Sequence, residues 1–99
     1  MMTDANESTA VRAMVTVTGI VQGVGYRAFT VRVATQRGLV GSVRNLDDGR
    51  VELEVEGPKT SILALLEDLH VGPPAARVTA VQVEWSPATG RHREFQVRY

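Results

Sequence analysis

Hydrophobic and polar residues alternate along several segments of the chain, a pattern typical of β-strands with one buried face. Strands are predicted at residues 11–18, 40–46, 50–56, 78–85 and 94–98. In the first strand, one face is formed by Val11, Ala13, Val15 and Val17. Between the second and third strands, Asp48-Gly49 is typical of a tight hairpin turn.

Two other segments repeat hydrophobic residues with the period of an amphipathic helix. The first, residues 26–37, has a stripe made of Tyr26, Phe29 and Val33. The second is predicted to open at Gly57-Pro58, with proline at the first helical position, and to end at Gly72. Its stripe is made of Ile62, Leu65, Leu66 and Leu69.

The order of these elements is β-α-β-β-α-β plus a short final strand. It predicts an α+β fold, a split β-α-β sandwich with two helices on one face of a mainly antiparallel sheet. A helix joins the first two strands, so they run parallel and end at the same edge of the sheet. Asn45, near the end of the second strand, is therefore expected close to the loop after the first. We expect one domain at residues 11–99 and a disordered tail at residues 1–10.

Composition limits the classes of protein to which the chain can belong. Its 99 residues can form a core without disulfides, and the absence of cysteine excludes thiolate nucleophiles and cysteine-bound zinc. No run approaches the ~20 apolar residues of a membrane span, and the start of the chain does not resemble a signal peptide. We therefore expect a cytoplasmic protein without a membrane partner, and a monomer.

The loop Gly19-Ile20-Val21-Gln22-Gly23-Val24-Gly25-Tyr26-Arg27 departs from the usual start of a helix. No Ser, Thr, Asp or Asn is available there to cap the free N–H groups. Arg27 also places a cation where the helix dipole favours an anion. Gly23 and Gly25 allow a tight turn in which several N–H groups point into one concavity. A bound anion would use those N–H groups and pair with Arg27.

Charge placement favours the same interpretation. Net charge is zero, yet no Asp or Glu lies between Ser8 and Leu46. That stretch contains five arginines, namely Arg12, Arg27, Arg32, Arg37 and Arg44. Their local positive field would attract a small anion to the glycine loop. Simple exposure to solvent is the favoured interpretation for Arg32 and Arg37, and from position alone a hydrogen bond to the hairpin backbone is the favoured interpretation for Asn45.

Other phosphate-binding classes fit less well. Residues 23–28 match the dinucleotide fingerprint, but the chain turns back through Asp48-Gly49 into an antiparallel strand, which a dinucleotide fold does not do. No Gly-Lys-Ser/Thr follows the loop. RNA-binding domains of this element order stack bases on aromatic residues of the third strand. Here that strand carries Glu52, Glu54 and Glu56, predicted to form an exposed acidic face, so no nucleic-acid partner is expected.

The loop contains no acid, histidine or cysteine, and His70 and His92 are isolated residues expected to face solvent. No carboxylate cluster is predicted to hold Mg²⁺, so we expect no metal and no cofactor. Without a general acid, the phosphoryl donor must have a leaving group that departs unprotonated. A carboxylic–phosphoric anhydride is such a donor, because a carboxylate has a pKa near ~4. Arg27 and the loop amides could stabilise charge while Asn45 orients water.

The runs Val21-Gln22-Gly23-Val24-Gly25-Tyr26-Arg27 and Gly41-Ser42-Val43-Arg44-Asn45-Leu46-Asp47-Asp48-Gly49 resemble the two signatures of the acylphosphatases. The resemblance covers the chain from about Val11 onwards. It implies a ferredoxin-like sandwich that hydrolyses acyl phosphates to a carboxylate and inorganic phosphate, without a metal or a covalent intermediate. It also implies that Arg27 and the loop bind the phosphate and that Asn45 positions the attacking water. The substrate-binding set is then Gln22, Gly23, Val24, Gly25, Tyr26 and Arg27.

Two positions depart from the family pattern, since Ser42 stands where Trp is common and Tyr26 where Phe is usual. Two alternatives also stay open. One is a non-catalytic anion-binding or regulatory module on the same fold. The other is a stand-alone relative of the carbamoyl-phosphate-handling modules of hydrogenase maturation proteins. The presence of both Arg27 and Asn45 argues against a simple binder, which needs no amide to orient water.

Overall fold

Five strands and two helices follow one another in the predicted order. The computed structural model describes residues 9–99, so residues 1–8 of the predicted tail lie outside the described residues. The strands are β1 (Ala10–Ile20), β2 (Val40–Asn45), β3 (Val51–Pro58), β4 (Arg77–Pro87) and β5 (Phe95–Val97). The helices are α1 (Tyr26–Gln36) and α2 (Lys59–Val71).

The strands form one sheet in the order β4-β1-β3-β2-β5. Neighbouring strands are antiparallel except β2 and β5, which are parallel. Because β3 is antiparallel to both β1 and β2, these two strands run in the same direction and end at the same edge of the sheet. This confirms the predicted fold and places the loop after β1 beside the end of β2.

The hydrophobic core lies between the sheet and the two helices. Most of the predicted inward residues of β1 and β3 are fully buried, namely Ala13, Val15, Val17, Val51, Leu53 and Val55. Val11, predicted on the same face of β1, is only half-buried. The leucine-rich stripe of α2 covers them with Ile62, Leu65 and Leu69, also fully buried. Each buried valine, leucine or isoleucine stabilises the fold by about 1.5–3 kcal/mol through its removal from water.

The start of α2 differs from the prediction. Gly57 and Pro58 belong to β3, where they pair with Val11 and Ala10 of β1. Pro58 has φ −60° and ψ 138°, an extended conformation, and is the N-cap residue of α2 rather than its first helical residue. The prediction failed because the fixed φ of proline suits both positions, and only strand pairing distinguishes them.

The buried stripe of α1 also differs from the prediction, since it consists of Tyr26, Thr30 and Ala34. Phe29 and Val33 are only half-buried. Thr30 is 0 % exposed, and its hydroxyl donates a 2.8 Å hydrogen bond to the Tyr26 carbonyl oxygen. A polar side chain can therefore occupy a core position here without an unsatisfied group.

The acidic side of β3 is covered rather than exposed, which corrects the sequence prediction. Glu54 and Glu56 are 6 % and 3 % exposed, although they point away from the helices. Arg91 donates a 2.6 Å hydrogen bond to Glu54, and Thr89 donates one of the same length to Glu56. Strand alternation predicts which side the glutamates take, but it does not show that residues 88–94 fold over that side.

Candidate active site

The loop between β1 and α1 has the backbone conformation that its glycines predicted. Gly23 and Gly25 have φ values of 75° and 81°, in the left-handed region. None of the non-glycine residues at positions 9–99 adopts a positive φ. A Cβ added at either glycine would meet no atom within 4 Å, so there is room for a side chain. Glycine is therefore required by the backbone conformation and not by close contacts. Such a conformation costs another residue about 1–2 kcal/mol.

Helix α1 begins without the usual caps. Gly25 is its N-cap residue, no side chain caps it by a hydrogen bond, and its first turn carries no acidic residue. The free N–H groups and the positive end of the helix dipole therefore face the same loop. This is a favourable environment for an anion.

A cavity of about 240 Å³ lies at this end of the sheet. It is lined by Val21, Gly23, Gly25, Tyr26, Arg27, Ala28, Asn45, Val97 and Tyr99. The fold thus brings Arg27 from the start of α1 and Asn45 from the end of β2 to one cavity. No Asp or Glu side chain is among the lining residues.

Of the five arginines between Ser8 and Leu46, Arg27 is the one that lines this cavity. Three of the other arginines form ion pairs elsewhere, namely Arg12 with Glu54, Arg37 with Asp68 and Arg44 with Glu52. Within residues 9–99, Arg27 has no ion-pair partner, and its guanidinium carbon lies 5.3 Å from the ring centroid of Tyr99. Its charge is therefore available to an anionic ligand.

The side chain of Asn45 is unsatisfied. Its Oδ1 is buried and has no hydrogen-bond partner among the described residues. The alternative role, a hydrogen bond to the hairpin backbone, is not observed for this side chain in the described part of the chain. A buried polar atom without a partner costs about 1–3 kcal/mol, so a role in the hairpin turn does not account for this amide.

Gln22 and Val24 lie in the predicted loop but are not among the residues that line the cavity. The Gln22 side chain turns to the hairpin, where Nε2 donates hydrogen bonds to the carbonyl oxygens of Leu46 at 2.7 Å and Arg50 at 2.9 Å. Val24 is half-buried and packs against the core. The side chain of Gln22 therefore joins the two loops of the site.

Tyr26 forms part of the inner wall and is 1 % exposed. Its hydroxyl donates a 2.7 Å hydrogen bond to the carbonyl oxygen of Leu69 near the end of α2. Burial raises the pKa of Tyr26, so the hydroxyl stays protonated and keeps this role. The tyrosine found where phenylalanine is usual thus has a specific partner.

Ala28, Val97 and Tyr99 line the cavity, although the sequence did not predict them as site residues. Val97 and Tyr99 reach the cavity because β5 lies beside β2 and runs parallel to it. The sequence predicted the strand but gave no sign of its partner. A prediction of parallel pairing with β2 would have placed the residues after β5 at the same edge.

Two glutamates and a histidine gather on the face of the sheet opposite the helices, although the sequence predicted no cluster of this kind. The ligand atoms of Glu54, Glu56 and His92 lie within 4.8 Å of one another. None of these residues lines the cavity, and both carboxylates already accept hydrogen bonds from protein groups. Burial opposes the ionisation of Glu54, but Arg12, His92 and Arg91 outweigh it and lower its pKa to about 2.

The two histidines differ. His70 is exposed, as predicted, and its Nδ1 lies 2.9 Å from the Leu66 carbonyl oxygen. His92 was expected to face solvent, but its side chain is only 16 % exposed and Nε2 lies 3.3 Å from Oε2 of Glu54. His92 belongs to residues 88–94, and its side chain is buried against β3 because this segment covers the strand. Neither histidine lines the cavity.

The chain is similar to proteins of one known family. The family model described as Acylphosphatase matches residues 13–97. The chain belongs to the acylphosphatase family. Its predicted family, fold and enzyme class are therefore confirmed. Within residues 9–99, neither helix has the length and apolar character required to cross a membrane.

Individual acylphosphatases match nearly the whole chain. An acylphosphatase from Anaeromyxobacter dehalogenans is 47 % identical over 89 residues, which are 90 % of this chain and 96 % of the relative. One from Methylococcus capsulatus is 52 % identical over 86 residues, 87 % of this chain and 94 % of the relative. The crystal structure of the Bacillus subtilis acylphosphatase superimposes with a TM-score of 0.87 at 38 % identity, covering 90 % of this chain and 99 % of that chain.

Proposed function

We propose that this acylphosphatase hydrolyses acyl phosphates to a carboxylate and inorganic phosphate by direct attack of water. In this proposal Arg27 and the amides of residues 22–27 bind the phosphate, and Asn45 holds the water. One observation carries the proposal: an arginine without an ion pair in the described chain and an asparagine whose side chain makes no hydrogen bond to the hairpin line the same cavity, beside an uncapped helix start.

The phosphate position follows from the charges around the glycine loop. Amide N–H groups at the start of α1 can donate to phosphate oxygens, and the helix dipole adds a partial positive charge there. Arg27 can donate two parallel hydrogen bonds to the same group. These contacts strengthen as negative charge develops on the transferring phosphoryl group, so they lower the barrier.

The water position follows from Asn45. Its side-chain amide can hydrogen-bond to a water molecule in the cavity and so orient the water's lone pair towards phosphorus. The new bond joins the water oxygen to phosphorus, and the bond from phosphorus to the acyl oxygen breaks. The leaving carboxylate keeps the electron pair and needs no proton, while the water's protons stay with the phosphate and solvent.

The type of substrate follows from the groups that line the cavity. They include no Asp, Glu or His side chain, and the hydroxyl of Tyr26 is engaged by the carbonyl oxygen of Leu69. An alkoxide leaving group needs a general acid, whereas a carboxylate does not. Acyl phosphates should therefore react far faster than phosphate monoesters.

The experiment that tests this proposal separates Arg27 from Asn45. Arg27→Ala should lower turnover of acetyl phosphate by about 10³-fold, as for other arginines that stabilise a phosphoryl transition state, and should weaken inhibition by inorganic phosphate. Asn45→Ala should lower turnover by about 10²-fold and leave phosphate inhibition nearly unchanged, because water is needed only for reaction. Arg32→Ala, on the same helix but outside the cavity, is the control.

Each outcome distinguishes the enzyme from a binding module. Normal turnover by Asn45→Ala would show that its amide does not position water. A parent protein that binds phosphate but hydrolyses no acyl phosphate would favour the non-catalytic anion-binding module. A cytoplasmic location, a monomeric state and the absence of nucleic-acid and membrane partners stay predictions.

A further inference from the structure

An apolar groove lies beside the start of α2, at the end of the sheet opposite the glycine loop. Two adjoining cavities of about 280 and 440 Å³ form it, and both are lined by Thr9, Val11 and Lys59. Leu63 of α2 and Trp85 of β4 complete its walls and are 46 % and 40 % exposed. β1 runs from this groove to the glycine loop, and its 11 residues separate the two by about 30 Å. The groove is therefore distinct from the proposed active site.

The groove carries a positive charge at the start of α2. Lys59 lies in the first turn of this helix, which has no acidic residue and no side-chain cap. Its ammonium nitrogen lies 5.0 Å from the ring centroid of Trp85 and forms no ion pair with any residue from 9 to 99. A cation at the positive end of a helix dipole is unfavourable. The groove thus combines apolar walls with a positive charge that lacks an acidic partner in the described chain.

We propose that the N-terminal segment, residues 1–8, docks in this groove. Its two methionines pack against the ring of Trp85. Its two carboxylates, those of Asp4 and Glu7, lie beside Lys59. This docking differs from the disordered tail that the sequence predicts, because the sequence does not reveal the groove. It does not depend on the proposed hydrolysis.

The position of the segment favours this docking. Ser8 is joined directly to Thr9, which lines both cavities. Eight extended residues span up to about 26–29 Å, which is much longer than a cavity of this volume is wide. A segment tethered so closely has an effective concentration in the millimolar range, so weak contacts are sufficient to hold it.

The composition of the segment complements that of the groove. Residues 1–8 contain two methionines and two acidic residues, with no Lys or Arg. Methionine is flexible and its sulfur makes favourable contacts with aromatic rings, which suits the exposed ring of Trp85. An acidic side chain near the start of α2 would interact favourably with the helix dipole and accept hydrogen bonds from free N–H groups. It would also pair with Lys59.

The test uses fluorescence, because Trp85 is the single tryptophan of the chain. Acrylamide is an uncharged quencher, so its access to the ring depends on cover and not on charge. In the full chain, Asp4→Lys/Glu7→Lys should raise the Stern–Volmer constant about twofold, the change expected when half of an aromatic ring is uncovered. Met2→Gln should raise it by a smaller factor, because it removes one apolar contact and keeps the charges.

The matched control is Asp47→Lys/Glu94→Lys, which changes the net charge equally at two exposed residues outside the groove. It should keep the parent's constant. Equal constants for the parent and Asp4→Lys/Glu7→Lys would overturn the docking. A constant that falls as the concentration of the parent protein rises would also overturn it, because a second copy of the chain would then cover Trp85.

Discussion

The side-chain amide of Gln22 donates a 2.7 Å hydrogen bond to the carbonyl oxygen of Leu46, the residue after Asn45. The same nitrogen lies 2.9 Å from the carbonyl oxygen of Arg50, across the hairpin turn. One side chain therefore joins the glycine loop to the hairpin that carries Asn45. This contact adds to the pairing of β1 and β2 with β3 in holding the two halves of the proposed site together.

The first prediction concerns this contact. Gln22→Ala should lower the free energy of unfolding by about 1 kcal/mol through lost hydrogen bonds. Turnover should fall about tenfold or more, because small displacements of a positioning group are costly in catalysis. Urea denaturation and steady-state kinetics measure the two effects. Gln82→Ala, an exposed glutamine on β4, should change neither, and normal turnover by Gln22→Ala would contradict the positioning role.

The second prediction separates the function of Gly25 from its conformation. Gly25 and Gly38 have φ values of 81° and 72°, and an added Cβ would meet no atom within 4 Å at either. Gly25→Ala and Gly38→Ala should therefore lose similar stability, about 1–2 kcal/mol. Only Gly25→Ala should also lose most of its turnover per folded molecule, since Gly38 does not line the cavity. Equal kinetics in the two variants would make Gly25 purely structural.

The third prediction concerns the hydroxyl of Tyr26. Tyr26→Phe removes the donor to Leu69 and leaves a buried carbonyl oxygen with one hydrogen bond fewer. The free energy of unfolding should fall by about 0.5–1.5 kcal/mol, measured by urea denaturation. Tyr99→Phe removes a hydroxyl from an exposed ring and should leave the midpoint unchanged. Identical midpoints for parent and Tyr26→Phe would show that the bond contributes nothing net.

The fourth prediction concerns acid stability. The pKa of Glu54 is about 2 in the folded protein, against an ordinary value of 4.5. A carboxyl whose pKa is lowered by folding stabilises the protein above its unfolded pKa, and this stabilisation is lost as pH falls through the folded value. Glu54→Gln should therefore be less stable than the parent at pH 7, and the difference should shrink between about pH 4.5 and 2.

Urea denaturation of the parent and of Glu54→Gln at pH 7 and at lower pH measures this difference in the free energy of unfolding. Glu84→Gln provides the control, because Glu84 is exposed on β4 and forms no ion pair among the described residues. The difference from the parent should stay flat for that variant. A difference that is constant with pH for Glu54→Gln would contradict the proposed role of the carboxylate charge.

Local patterns predicted most of the fold because they depend on neighbouring residues. The alternation of Val15 and Val17, the glycine loop and the direction of β2 relative to β1 all follow from short segments and one connection rule. Asn45 could be placed near Arg27 for the same reason. Even the uncapped helix start was visible, since it depends on which residues precede Tyr26.

The features that the sequence did not reveal depend on contacts between distant segments. Tyr99 reaches the cavity only because β5 pairs with β2, and Glu54 is buried only because residues 88–94 cross β3. Neither hydrophobic pattern nor charge reports such pairings.

β1 is an interior strand of the sheet, with β3 on one side and β4 on the other, and this position has a consequence for how the chain folds. The side chains of Arg12 on β1 and Ser86 on β4 meet across 74 sequence positions. β1 must therefore wait for a segment made much later before both of its edges are paired. Until β4 pairs, β1 keeps an open edge, which favours aggregation of the incompletely folded chain. We expect slow folding, on the scale of milliseconds to seconds, for a chain in which an interior strand depends on such a distant partner.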